Sequence, residues 1–182
     1  MSTTKIAVLV GSLRSGSINL RLARAMEKLA PEDVSVEFAD LNLPLFNQDL
    51  ENDLPAAVAK LKTLISQSQG VLFVTPEHNR SIPAALKNAV DWGTRPWGQN
   101  VWMGKAGGIV GTSPSAAGSA MAQQHLRNVL AAEGVNVLTT PEVFLQMKEG
   151  LIDDQFQITN EDTRKFLQGW MDRYVAWVKK TA

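Results

Sequence analysis

Chemistry is most strongly suggested by one loop-like stretch near the N-terminus, GSLRSGSIN at residues 11–19. It lies between a strand-like run, Lys5–Val10, and a helix-like run, Ile18–Ala30. The first turn of a helix leaves backbone N–H groups unpaired and carries partial positive charge, which favours an anion at such a junction. Serine hydroxyls and an arginine guanidinium add donors, and glycine lets the backbone approach closely. We interpret the stretch as a phosphate cradle or, alternatively, as a polar turn with a serine N-cap; the candidate ligands are Ser12, Arg14, Ser15, Gly16 and Ser17.

Better-known catalytic and nucleotide-binding patterns are absent. The stretch matches neither the dinucleotide fingerprint G-x-G-x-x-G nor the Walker pattern G-x-x-x-x-G-K-[ST]. The chain has no cysteine, no G-x-S-x-G serine, and only two histidines, His78 and His125, which lack metal-ligand spacing. We therefore expect no metal site and no nucleophilic side chain.

The composition limits the classes of partner. With 182 residues, 45% of them hydrophobic, the chain suits a single domain, residues 1–182, with a substantial core. Lysine plus arginine equals aspartate plus glutamate at 18 each, so no global charge attracts nucleic acid or a membrane surface. The first residues lack the apolar core of a signal peptide, and no apolar run reaches transmembrane length. We expect a cytoplasmic protein that binds neither nucleic acid nor membrane.

Strand-like and helix-like patterns alternate along the chain. Continuous apolar runs such as Gly70–Thr75 are typical of strands buried on both faces of a parallel sheet. The other predicted strands are residues 6–10, 34–38, 106–111 and 135–138. Predicted helices follow at 18–30, at 54–68 behind an Asp53 cap, at 84–92, up to Glu133, and through Val178 after the capping-box sequence Thr159–Asp162. This alternation predicts an α/β fold, a flavodoxin-like doubly wound sheet of five parallel strands in the order 2-1-3-4-5 with helices on both faces.

This topology brings three polar or small-residue loops to one crevice. Ser12–Asn19, Pro76–Ser81 and Thr112–Ser119 follow strands 1, 3 and 4, and ligands collect at the carboxyl ends of such strands. The first loop suits a phosphate, and the second offers a turn with a flat side chain for the edge of an aromatic ring system. FMN satisfies both requirements best.

Two long segments resemble the signatures of the NADPH-dependent FMN reductase family, a flavodoxin-like group that includes bacterial quinone, azo-dye and chromate reductases. They are residues 11–19 and the run from Thr75-Pro76-Glu77-His78-Asn79 through Asp91-Trp92. The resemblance extends to His125-Leu126-Arg127 and covers most of the chain. His78 stands where a tyrosine is usual in the family, and Arg80 occupies a variable position.

The resemblance implies a site and a reaction. Its FMN phosphate ligands would be Ser12, Arg14, Ser17 and Asn19, and its isoalloxazine contacts would be Pro76, Glu77, His78, Asn79, Arg80 and Ser113. The implied activity is hydride transfer from NADPH or NADH through bound FMN to quinones, azo compounds or metal oxyanions. Because the flavin supplies that chemistry, we expect no catalytic acid and base pair in the protein. Donor and acceptor would use the same ring face in turn, which predicts ping-pong kinetics.

Several alternatives remain open on the residues. The protein could instead release reduced FMN to a partner, or serve as a non-enzymatic electron carrier, although carriers are expected to be acidic. His78 could titrate near neutral pH and affect protonation of the acceptor, or simply pack at the ligand's edge. The family implies a homodimer or homotetramer. Trp92, Trp97 and Trp102 could then belong to the core or to a subunit interface.

Overall fold

The computed structural model describes residues 3–182, so Met1 and Ser2, which begin the predicted 1–182 domain and its N-terminal segment, lie outside the described residues. The strands are β1 Thr4–Val10, β2 Val34–Phe38, β3 Gly70–Val74, β4 Ala106–Ser113, β5 Asn136–Val137 and β6 Phe144–Gln146. The helices are α1 Ile18–Lys28, α2 Ala56–Ser66, α3 Ala84–Gly93, α4 Ala120–Ala132 and α5 Glu161–Thr181, with a short 3-10 turn at Gln48–Leu50.

The strands form one parallel sheet in the order β2-β1-β3-β4-β5, which confirms the predicted fold. A sixth strand was not predicted. β6 pairs in parallel with the far end of β4, where Gly111 lies opposite Phe144. The predicted strand at 135–138 is one residue too long at each end, since β5 covers only Asn136–Val137. It also accounts for only part of this edge, because β6 forms the rest. Three residues are too few to show a strand periodicity in sequence.

Helices cover both faces of the sheet, and the alternation of side chains along β1 shows why. Ile6, Val8 and Val10 pack with α1 and α5 on one face. Ala7 and Leu9 pack with α2, α3 and α4 on the other. Because both faces are buried, β1 reads as a continuous apolar run rather than an alternating one.

Two predicted helix caps are wrong by a residue or more. Asn160, not Thr159, caps α5, and its side chain accepts a hydrogen bond from the Thr163 N–H. Pro55, not Asp53, precedes α2, because proline is well tolerated at the start of a helix. Neither difference moves a helix relative to the sheet.

A buried lysine side chain holds the segment between α3 and β4 in place. The buried Lys62 ammonium donates to the backbone carbonyls of Gly93, Arg95 and Gln99. Burial also lowers the pKa of Lys62. Trp92 and Trp102 are fully buried at either end of this segment, whereas Trp97 between them is 87% exposed. The core interpretation is therefore correct for two of the three tryptophans.

None of the helices within residues 3–182 combines the length and the apolar character needed to cross a bilayer.

Candidate functional site

A cleft of about 680 Å³ opens at the carboxyl ends of β1, β3 and β4. This volume lies within the usual range for small-molecule sites. Its walls come from the loops that follow the three strands, so the predicted convergence is present in the structure. The lining residues are Gly11, Ser12, Leu13, Arg14, Gly16, Ser17, Ile18, Asn19, Pro76, Glu77, His78, Pro83, Thr112, Ser113 and Pro114.

The loop after β1 presents unused hydrogen-bond donors to the cleft. Ser17 caps α1, since its Oγ accepts from the Leu20 N–H at 3.2 Å. The N–H groups of Gly16, Ile18 and Asn19 donate to no acceptor in the described part of the chain. The N-cap interpretation and the anion-site interpretation are thus compatible, because one serine hydroxyl satisfies only one of the free N–H groups at the helix start.

Arg14 adds positive charge to this end of the cleft. Its guanidinium is exposed and makes no hydrogen bond or ion pair within residues 3–182. An arginine fork without a protein partner can bind two oxygens of a phosphate together. The α1 end of the cleft is therefore suited to an anion.

Asn19 connects the start of α1 to the end of β4. Its side chain is 2% exposed; Nδ2 donates to the Thr112 carbonyl oxygen at 3.0 Å, and Oδ1 accepts from the Thr112 N–H at 3.1 Å. These two hydrogen bonds span 93 residues and engage both the amide nitrogen and the amide oxygen of the side chain. Asn19 thus faces the cleft mainly through its backbone N–H, and its side chain sets the distance between α1 and β4.

Close contact between β3 and β4 depends on Gly111. A Cβ atom at that position would overlap the Thr75 carbonyl oxygen and the Ser119 hydroxyl. The absence of a side chain lets the two loops that follow these strands lie side by side in the cleft wall.

Glu77 links the loop after β3 to α4. Its Oε2 accepts from the N–H groups of Met121 at 3.1 Å and Ala122 at 3.4 Å. Ser119 precedes α4 with a left-handed φ of 68° and gives no side-chain cap. The Glu77 carboxylate therefore caps the helix in its place, and the helix dipole stabilises the negative charge.

A tight turn follows Glu77. His78 and Ser81 exchange two backbone hydrogen bonds of 3.0 Å, and the Ser81 hydroxyl lies 3.0 Å from Nδ1 of His125 on α4. Asn79 and Arg80, with φ values of 50° and 66°, occupy the two central positions, as in a type I′ turn. The turn is thus fixed at both ends while its tip is exposed.

Most of the predicted site residues line the cleft, but three do not. Asn79 and Arg80 form the tip of the turn instead of the wall, because the His78–Ser81 pairing makes them its central residues. Ser15 lies on the other side of the first loop, in a neighbouring cleft with Arg24 and Asp40. Ser113 does line the cleft, although its hydroxyl already bonds to Ser115.

Sequence reasoning missed several apolar and small residues of the wall: Leu13, Ile18, Pro83, Thr112 and Pro114. They lie at the end of β4 or just beyond it, in the loop after β1, or at the start of a helix at this edge of the sheet. Their position in the topology, rather than their chemistry, was the available signal.

Within residues 3–182, no three histidine, aspartate or glutamate side chains come together as a metal ion would require. The charged or titratable residues that line the cleft in this part of the chain are Arg14, Glu77 and His78.

Comparison with known proteins gives consistent results. The family model described as NADPH-dependent FMN reductase matches residues 4–150. A 2-hydroxy-1,4-benzoquinone reductase of Burkholderia sp is 51% identical over 96% of both chains, and a quinone reductase of Pseudomonas putida is 42% identical over 96% of this chain and 94% of its own. The structure of FerB, a flavoenzyme NAD(P)H:(acceptor) oxidoreductase from Paracoccus denitrificans, superposes with a TM-score of 0.95 at 42% identity, covering 98% of this chain and 99% of that one.

Replacement of Asn19 tests its role in joining the loops. Asn19→Ala leaves the buried Thr112 N–H and C=O without partners, so we expect the free energy of unfolding to fall by about 2–4 kcal/mol. Urea denaturation followed by circular dichroism measures the change. The exposed Asn42→Ala is the matched control and should change it by less than about 0.5 kcal/mol. Equal stability of the two variants would contradict the assignment.

Proposed function

Because the chain belongs to the NADPH-dependent FMN reductase family, we propose that it is an FMN-dependent oxidoreductase that passes reducing equivalents from NADPH or NADH to quinones or similar small-molecule acceptors. One observation carries the proposal. The start of α1, with its free N–H groups, and the polar turn after β3 line the same cleft, whose volume suits a small molecule. We also propose that residues 1–182 act as one FMN-binding domain in the cytoplasm.

The donors of the cleft suit the two ends of FMN. The phosphate would bind the free N–H groups of Gly16, Ile18 and Asn19, with the Arg14 guanidinium and the Ser12 hydroxyl beside them. Ser17 would contribute from the same turn while capping α1. In this arrangement Asn19 contacts the phosphate through its backbone, and its side chain keeps the wall in place.

The ring system would lie toward the loop after β3. Pro76, Glu77 and His78 line that end, and Ser113 faces them from the loop after β4. The Glu77 N–H has no acceptor in the described chain and is available to a ring oxygen or nitrogen. Asn79 and Arg80 would reach a ligand only from the exposed tip of the turn.

When bound, the flavin would supply the hydride chemistry. The chain would then bind the flavin, orient the donor and acceptor against it, and exclude competing reactions. Donor and acceptor would occupy the open side of the cleft in succession, which predicts ping-pong kinetics. The equal number of acidic and basic residues, 18 each, disfavours a carrier that docks through an acidic surface.

The exposed Trp97 in the α3–β4 segment, together with the partly buried Arg95 and Glu51 near it, suits contact with a second copy of the chain. The Arg95 guanidinium lies 5.9 Å from the centroid of the Trp97 ring, and its Nε lies 3.6 Å from Oε1 of Glu51. We call these three residues the Trp97 surface. Exposed tryptophan and arginine are enriched at the centres of protein interfaces. We propose that this surface is part of a homodimer or homotetramer interface.

Turnover and colour together test the function. The purified protein should show flavin bands near ~370 and ~450 nm, or acquire them on incubation with FMN, and should oxidise NADPH or NADH steadily when 1,4-benzoquinone is added. A protein that stays colourless with FMN would overturn the proposal. Bound flavin without turnover would favour an electron carrier. Failure of the yellow colour to return on reoxidation, after reduction and dialysis, would favour release of reduced FMN.

Arg14→Ala tests the phosphate end of the cleft. Because charge-assisted hydrogen bonds are lost, we expect FMN binding to weaken by about 1.5–3 kcal/mol, or roughly 10- to 150-fold in Kd. Titration of the apoprotein, followed by quenching of flavin fluorescence, measures Kd. Arg173→Ala, an exposed arginine on α5, is the control and should retain wild-type affinity. Unchanged affinity of Arg14→Ala would exclude the phosphate assignment.

Trp97→Ser tests the proposed interface. Loss of a central aromatic residue commonly costs at least about 2 kcal/mol in an interface, so we expect the oligomer to dissociate at concentrations where the wild type remains associated. Size-exclusion chromatography with light scattering measures the mass. Phe166→Ser, which replaces an exposed aromatic residue on α5, should leave the mass unchanged. A monomeric wild type would refute the proposal directly.

A further inference from the structure

Among the described residues, His78 is the one imidazole side chain that lines the cleft. Imidazole is a side-chain type that can both donate and accept a proton in enzymes, whereas an arginine guanidinium stays protonated. The Glu77 carboxylate already accepts hydrogen bonds from two N–H groups of α4, so Oε2 is engaged in capping that helix. We propose that His78 is the proton donor for acceptors that must be protonated as they are reduced, an inference that rests on the proposed function.

The need for a donor follows from the balance of the reaction. Reduction of a quinone to a hydroquinone adds two electrons and two protons. A hydride equivalent from NAD(P)H brings both electrons and one proton, so one further proton must reach the second carbonyl oxygen. In the proposal, an imidazolium N–H of His78 donates that proton as the oxygen gains charge, and the imidazole then takes a proton from water.

The position of His78 meets both parts of this role. The residue lines the cleft, and its ring makes no hydrogen bond in the described chain, so both ring nitrogens are free for a ligand or for water. Its backbone is fixed by the two hydrogen bonds to Ser81. The residue is also exposed, which allows exchange of the proton with solvent between turnovers.

The surroundings of the ring are charged on several sides. Glu77 and Arg80 are near it in the same loop, Arg14 lines the same cleft from the loop after β1, and the His125 ring on α4 hydrogen-bonds to Ser81. His125 does not line the cleft, so it is unsuited to donate to an acceptor there. The two histidines of the chain can therefore be tested separately.

A comparison of two acceptors separates the effect of proton donation from that of electron transfer. The FMN-loaded protein is reduced with one equivalent of NADPH and mixed in a stopped-flow instrument with 1,4-benzoquinone or with ferricyanide, which takes electrons alone. For the wild type, the ratio of the quinone rate to the ferricyanide rate should fall as pH rises from about 5.5 to 8.5, because the imidazolium fraction falls. In His78→Gln the ratio should be lower by about 100-fold near pH 6 and independent of pH.

Two further measurements separate proton donation from a structural effect. His125→Gln is the matched control, and its ratio should keep the wild-type pH dependence. That variant also leaves His78 as the one histidine signal in a proton NMR spectrum. Addition of 1,4-hydroquinone to the oxidised holoprotein should shift that signal, which reports contact without turnover.

Three results would overturn the proposal. They are an equal loss with both acceptors in His78→Gln, a wild-type pH dependence of the ratio in that variant, or an NMR signal that does not respond to hydroquinone. Failure of the proposed function is distinct, since the wild type would then reduce neither benzoquinone nor ferricyanide with NADPH.

Discussion

The hydrogen-bonded pair between the Asn19 side chain and the Thr112 backbone is the interaction on which the cleft depends. Parallel strands guarantee that their following loops lie at one edge of the sheet, but they do not set the distance between those loops. The Asn19 amide does so, because it is buried and bonded through both its donor and its acceptor. Within a low-dielectric environment, such a pair tolerates little displacement. The start of α1, with its free N–H groups, is thereby held opposite β4.

The N-termini of α1 and α4, two of the helices that begin near this cleft, are used in different ways. The N-terminus of α4 is occupied by a residue of the chain itself, the Glu77 carboxylate. The N-terminus of α1 has only the Ser17 hydroxyl, which leaves N–H groups free. The partial positive charge of α4 thus stabilises the acidic residue in the cleft wall, while that of α1 remains available to an anion. This difference leaves free N–H groups at the α1 end of the cleft, whereas the N-terminus of α4 is already capped by Glu77.

Much of this arrangement could be predicted from the sequence. The strand order and the meeting of three loops followed from alternating patterns and from the topology of parallel sheets, because both depend on long, strongly patterned segments. Ser15 was expected in the cleft for its hydroxyl group, and Asn79 and Arg80 because the family resemblance implied them. Their true position depends on which way the backbone turns, and a type I′ turn at Asn79-Arg80 lacks the glycine that usually marks one. The partners of Asn19 and Glu77 are far away in sequence, so no local pattern could reveal them.

The split edge of the sheet has a consequence for behaviour in concentrated solution. Beyond β4, the boundary consists of two separate strands of two and three residues, β5 and β6. A long open strand edge offers a row of unpaired backbone groups on which a neighbouring molecule can add a strand, and such growth leads to aggregates. Two short segments cannot serve as a continuous template. On this side the fold is therefore protected against strand addition by its own irregularity.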